Sequence, residues 1–341
     1  MKASIVGATG YSGLELIRLL HNHPNVEIHS VVSGSSKGAA ISEIYPHLTG
    51  LGIPRLSKLN AEETDVVFYA TPSGISNSEV PALLGKEVRI IDLSGDFRLK
   101  SPEQYEEWYG KTPAQQEHLD QAVYGLSEFY REKITNSRFI ANPGCYPTAT
   151  LLGITPLLKQ GWIESDSIII DGKSGVSGAG RGLSQNTHYP ETNENLSAYK
   201  LGRHQHIPEI EQVLSEQASK PVQVTFSTHL VPMTRGIMCT IYAKMAKSFT
   251  QDQIEELYRD FYETSPFVRI REGGTYPSTK QVYGSNFCDI GFAVNQRTNQ
   301  IMVVSVIDNV VKGAAGQAVQ NLNLMMGWNE TEGLNMTPVF P

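Results

Sequence analysis

Seven residues near the amino terminus, Gly7-Ala8-Thr9-Gly10-Tyr11-Ser12-Gly13, restrict the folds open to this chain more than any other segment. They follow an apolar strand pattern at residues 3–6 and precede a helical one at 14–20, which stops before Pro24. Glycines at a strand-to-helix turn let main-chain N–H groups approach a pyrophosphate, whose charge the helix N-terminus favours. The spacing G-x-x-G-x-x-G is a variant of the dinucleotide fingerprint, and its place at the first βα junction gives it weight. Gly7, Gly10, Tyr11, Ser12 and Gly13 are therefore candidate cofactor contacts.

Further strand patterns at 26–32, 66–69, 88–93 and 139–141 alternate with helical ones, which predicts a Rossmann-type doubly wound parallel sheet. Beyond residue 150 the texture changes. A helix at 148–160 and a strand at 167–171 lead into a Gly/Ser-rich loop. Long strand patterns follow at 222–231, 237–245, 268–271, 289–294 and 301–307, interrupted by one amphipathic helix at 251–262. Residues 295–299 read as a hairpin turn. We expect α/β plus α+β: residues 1–148 forming an NADP-binding domain, completed by a C-terminal helix at about 310–341, and residues 149–309 forming a catalytic and substrate-binding domain built on a largely antiparallel sheet.

The second strand pattern selects the cofactor. It ends Val31-Val32-Ser33-Gly34-Ser35-Ser36-Lys37, with no carboxylate to hold a ribose 2′-hydroxyl or repel a 2′-phosphate. Ser33, Ser36 and Lys37 suit that phosphate, so NADP(H) is expected over NAD(H).

Asn142-Pro143-Gly144-Cys145-Tyr146-Pro147-Thr148 joins a strand to a helix, with Pro147 suited to the first helical turn. Cys145 there sits at the positive end of a macrodipole, where thiolate is favoured and main-chain N–H groups can hold an oxyanion. Cys239 and Cys288 lie in apolar strand patterns and read as structural thiols. The proton partner has two candidates. His206 lies just ahead of Pro208, with Glu209 able to orient its ring; His229, in a strand, suits packing or substrate contact. Arg98 and Arg235 follow strand ends and suit an anionic substrate. The loop at 174–182, with Gly178, reads as a cover for the nicotinamide.

A net charge of −7 leaves no basic stripe for nucleic acid. No apolar run reaches the about 18 residues that a membrane helix needs, and the amino terminus lacks the pattern of a signal peptide. An odd count of three cysteines without metal spacing fits a reducing cytoplasm.

Taken together these segments resemble the N-acetyl-gamma-glutamyl-phosphate reductase family of the aspartate-semialdehyde dehydrogenase-like superfamily. The resemblance rests on residues 7–13, 33–37, 93–99, 142–147, 174–182, 204–209, 229–236 and 308–313. Relatives commonly read His-Arg-His where this chain has His204-Gln205-His206. The resemblance implies that Cys145 is the nucleophile, His206 the acid–base residue and Asn309 a cofactor contact. It also puts Asn142, Glu209 and His229 with the arginines at the substrate. The implied reaction is NADPH-dependent reduction of N-acetyl-L-glutamyl 5-phosphate through a cysteine thioester, in arginine biosynthesis, by a homodimer or homotetramer. A sister acyl-phosphate reductase for aspartyl or aminoadipyl phosphate is the near alternative. A cofactor-free cysteine hydrolase would leave residues 7–13 without a purpose, and a non-catalytic NADP sensor would not need Cys145.

Overall fold

The computed structural model describes residues 1–34 and 38–340. The chain forms two compact units: Met1–Pro143 with Ala314–Asn335, and Gly144–Gly313 with Met336–Pro341.

The first unit is built on seven strands: β1 (Lys2–Val6), β2 (Glu27–Val32), β3 (Leu56–Ser57), β4 (Val66–Tyr69), β5 (Arg89–Asp92), β6 (Val123–Tyr124) and β7 (Phe139–Ala141). All pairings are parallel, in the order β3-β2-β1-β4-β5-β7-β6. The order reverses between β1 and β4, the switch point at whose carboxyl edge such sheets bind ligands. Ala3, Ile5, Val31, Val66, Val67 and Phe68 are fully buried, the near-continuous apolar reading of strands covered on both faces. Helix Tyr11–His21 buries Leu16, Ile17, Leu19 and Leu20. Helix Gly316–Met325 joins this unit through buried amides: Ser127 Oγ donates to Asn321 Oδ1 at 2.8 Å, and Asn321 Nδ2 to the Gly125 carbonyl at 2.8 Å.

The second unit carries β8 (Ile169–Gly175), β9 (Ser197–Tyr199), β10 (Thr225–Val231), β11 (Ile237–Lys244), β12 (Val268–Ile270), β13 (Cys288–Asn295) and β14 (Gln300–Ile307). Their order is β12-β13-β14-β11-β8-β10-β9. Only β8/β10 and β12/β13 pair in parallel; the other neighbours are antiparallel. Helices Cys145–Lys159 and Gln251–Phe261 cover one face. Ile237, Cys239, Ile241 and Ala243 point to them and are buried, while Met238, Thr240 and Tyr242 between them are half-buried on the other face. Tyr258 anchors the two helices, its ring 4.4 Å from Phe292 and its hydroxyl on the Gly153 carbonyl. No helix among the described residues is long and apolar enough to cross a membrane.

Candidate active site

At the first βα junction, Gly7 has φ +86°, and a Cβ there would lie 2.3 Å from the Ala70 carbonyl oxygen. A Cβ on Gly13 would lie 2.3 Å from the Gly7 carbonyl oxygen. Both glycines are thus required by close approach of backbone to backbone. Gly10 caps helix Tyr11–His21 in extended conformation, without a side-chain cap. Ser33 Oγ lies 3.3 Å from Thr9 Oγ1 beside this turn. A helix start without a side-chain cap behind a bare glycine turn fits a dinucleotide pyrophosphate. Ser36 and Lys37 lie outside the described residues.

In the second unit Cys145 is the first residue of helix Cys145–Lys159, with Gly144 as its N-cap. Every residue from Tyr146 to Leu158 on that helix is buried, so the thiol rides on a firmly packed element. Glycines frame it. A Cβ on Gly313 would lie 2.7 Å from Cys145 Cβ, and one on Gly144 would lie 2.5 Å from His206 Nε2. The His206 imidazole therefore packs on the residue before the nucleophile, at the start of helix His206–Ala218. Glu209, fully buried, accepts from Gly144 N at 2.8 Å. It fixes the cysteine turn.

His204 completes the cluster. Its Nδ1 accepts from His206 N at 3.1 Å, and its ring centroid lies 4.7 Å from that of His206. Burial, and then the charge of Lys200, pull its pKa down to about 3. Tyr199 donates to the Tyr146 hydroxyl at 3.3 Å, and burial pushes Tyr199 up to about 12 and Tyr146 higher still. Sequence reasoning passed over His204, Tyr146 and Tyr199; residues flanking the Cys145 and His206 motifs were the available signal. Cys239 is fully buried, with its thiol pushed up to about 12 by burial. Cys288 is buried as well.

Other expected residues are placed elsewhere. His229 pairs with Lys173 in the β8/β10 register, one residue from Gly172, whose Cβ would meet the Tyr146 ring. Side chains alternate along a strand, so His229 points to the opposite face, where its Nδ1 lies 3.2 Å from Asp171 Oδ1. Asn142 is fully buried, its Nδ2 on the Ala314 carbonyl and its Oδ1 receiving Asn321 Nδ2. It is a strut of the first unit. In that unit also, Arg98 Nε and Nη2 donate to the carbonyls of Asn142 and Leu93 at 2.7 and 2.8 Å. Arg235 keeps partial exposure, 3.6 Å from Asp308 Oδ2. Asn309 ties two loops: its Oδ1 accepts from Gly236 N at 2.7 Å, and its Nδ2 donates to Ser177 Oγ at 2.9 Å. Gly178 sits in the short turn Val176–Ala179 held by that bond.

Residues 2–137 match the family model described as semialdehyde dehydrogenase, NAD binding domain, and residues 145–309 match semialdehyde dehydrogenase, dimerisation domain. The fold agrees. Aspartate semialdehyde dehydrogenase II complexed with ASA from Vibrio cholerae superposes with TM-score 0.72 at 17% identity, over 96% of this chain and 98% of that one. Aspartate semialdehyde dehydrogenase with NADP from Candida albicans gives 0.68 at 17%, over 95% and 98%. Full-length relatives are far nearer in sequence. N-acetyl-gamma-glutamyl-phosphate reductases of Geobacillus kaustophilus and Bacillus subtilis are 55% and 50% identical, over 100% of both chains in each case. The chain belongs to the N-acetyl-gamma-glutamyl-phosphate reductase family, within the semialdehyde dehydrogenases.

Proposed function

We propose that this protein reduces N-acetyl-L-glutamyl 5-phosphate to N-acetyl-L-glutamate 5-semialdehyde and phosphate, with NADPH, as a step of arginine biosynthesis. The observation that carries the chemistry is Cys145 at the first position of a buried helix, with the His206 imidazole packed on Gly144 beside it. The names printed for the full-length relatives supply the substrate.

The helix start stabilises the Cys145 thiolate and offers first-turn N–H groups to an oxyanion. The thiolate adds to the acyl carbon, and phosphate leaves with the electron pair of the C–O bond, giving a thioester. Residues 7–13 hold the pyrophosphate of NADPH, which when bound supplies the hydride. When the C–S bond breaks, sulfur regains its electron pair as the aldehyde carbonyl forms, and His206 holds the exchanged proton. The thioester holds the acyl group on the protein in a form that accepts hydride, which a free carboxylate would resist. Arg235, partly exposed in the same unit, is the cation we assign to the anionic substrate. We assign the protein to the cytoplasm as a homodimer or homotetramer, a state that light scattering of the purified chain decides.

Mass spectrometry after mixing the protein with the acyl phosphate, without NADPH, tests the reading. A Cys145 adduct with the N-acetylglutamyl mass supports it; an unmodified Cys145 sinks it. Parallel runs with aspartyl and aminoadipyl phosphate separate the sister reactions. Equal kcat/KM with NADPH and NADH, unmoved by Lys37→Glu, overturns the cofactor preference.

A further inference from the structure

We infer that His204 is a positioning residue that sets the direction from which the His206 imidazole reaches the cysteine turn. The inference rests on the reading above, in which His206 handles the proton.

Helix His206–Ala218 begins at His206, so the His206 amide precedes the intrahelical hydrogen bonds and needs an acceptor from outside the helix. The N-cap residue, Gln205, makes no side-chain cap; its Oε1 receives Lys200 Nζ at 2.8 Å instead. His204 takes over the cap, its Nδ1 receiving His206 N at 3.1 Å. A ring nitrogen that accepts from an amide carries no proton, so the His204 proton belongs on Nε2.

The surroundings keep it so. His204 is 4% exposed, with Tyr146, Tyr199 and Phe226 edge-on at 5.5, 5.7 and 5.5 Å between ring centroids. An apolar box of this kind penalises imidazolium, which agrees with the depressed pKa of His204. The acceptor therefore persists at any pH well above 3. The neutral ring beside His206, 4.7 Å between centroids, also adds no like charge when His206 takes a proton. His204 thus fixes the backbone turn through residues 204–206 and, with it, the seat of the His206 ring on Gly144.

Asparagine and leucine are near-isosteres, so His204→Asn and His204→Leu test the assignment. Asparagine can accept from the amide two residues on; leucine cannot. A displacement of about 1 Å at a proton-transfer group costs about 100-fold in rate. We expect kcat of His204→Asn within about fivefold of wild type and that of His204→Leu about 100-fold lower, with KM for both within about twofold. A role in packing alone gives the opposite ranking, because leucine fills an apolar box better than an amide. Equal kcat for the two variants, or a more active leucine variant, overturns the proposal.

Iodoacetamide alkylation of Cys145 gives a reading that needs no substrate; it should be slower by about threefold or more in His204→Leu than in His204→Asn. Wild-type turnover of N-acetylglutamyl phosphate is the control. Its absence removes the reaction assigned above and leaves alkylation to decide His204. Should His204→Leu fail to fold by circular dichroism, His204→Phe takes its place, with the same expected ranking.

Discussion

The His206 imidazole stands where a side chain on Gly144 would begin, with Nε2 2.5 Å from the position of that missing Cβ. Nucleophile turn and histidine therefore share one space, and neither can be altered without moving the other.

Gly144→Ala is the direct probe. The new methyl must displace the His206 ring, at a stability cost of about 1–3 kcal/mol for overpacking. We expect a folded protein with kcat down about 100-fold, the scale of a misplaced proton-transfer group. Steady-state rates beside a thermal melt check it, and unchanged kcat would show that the ring has room to retreat.

Glu209 offers a second probe through the same turn. Glu209→Ala leaves Gly144 N buried without its acceptor at 2.8 Å, a loss of about 1–3 kcal/mol. Glu209→Gln keeps an oxygen there and should recover most of that loss. Denaturant unfolding of both variants measures the difference; equal destabilisation would mean the carboxylate charge, not the acceptor, is what matters.

Thiol reactivity should be confined to one cysteine. At pH 8, a thiol near pKa 12 is about 1 part in 10,000 thiolate, so Cys239 should resist iodoacetamide while Cys145 reacts. Peptide mass mapping after brief alkylation reports the sites. Labelling of Cys239 at the Cys145 rate would contradict its burial.

The first unit carries a pH-dependent term at Asp92, which ends β5 fully buried and accepts from Ser94 N and Oγ at 3.1 and 3.0 Å. Burial, followed by the charge of Asp96, raises its carboxyl to about 6. The folded value exceeds the unfolded one of about 4, so its contribution is full below about 4 and lost as pH rises through about 6. Asp92→Asn carries no charge to desolvate and should gain stability relative to wild type between those limits. Urea titrations at pH 4.5 and pH 7 test this, and a gap that ignores pH would refute it.

Much of this was legible in the residues. The turn at 7–13 announced itself because glycine is demanded where backbone meets backbone, as Gly7 and Ala70 do. Cys145 was legible because Pro147 marks a first helical turn; the helix simply starts at the cysteine, ahead of the expected residue 148. Strand β8 runs on to Gly175, beyond the expected 171, because pairing with β10 and β11 on either side overrides the low strand propensity of Ser174 and Gly175. Short strands β3, β6 and β9 span two or three residues and leave no period to read. The partners of Glu209 and His229 depend on which face a neighbouring element presents, which is long-range information absent from local spacing. His204 escaped notice because its partner is a main-chain amide, invisible in side-chain chemistry.

Burial along helix Cys145–Lys159 has a consequence for altering substrate range. With thirteen consecutive residues enclosed, the reactive sulfur is a fixed reference point, and adaptation to a longer or shorter acyl chain falls to segments that tolerate change. Two loops of the same unit, around Ser177 and Gly236, are tied to each other by Asn309. Because one amide holds both, a shift in one is passed to the other, and a library should vary the two together.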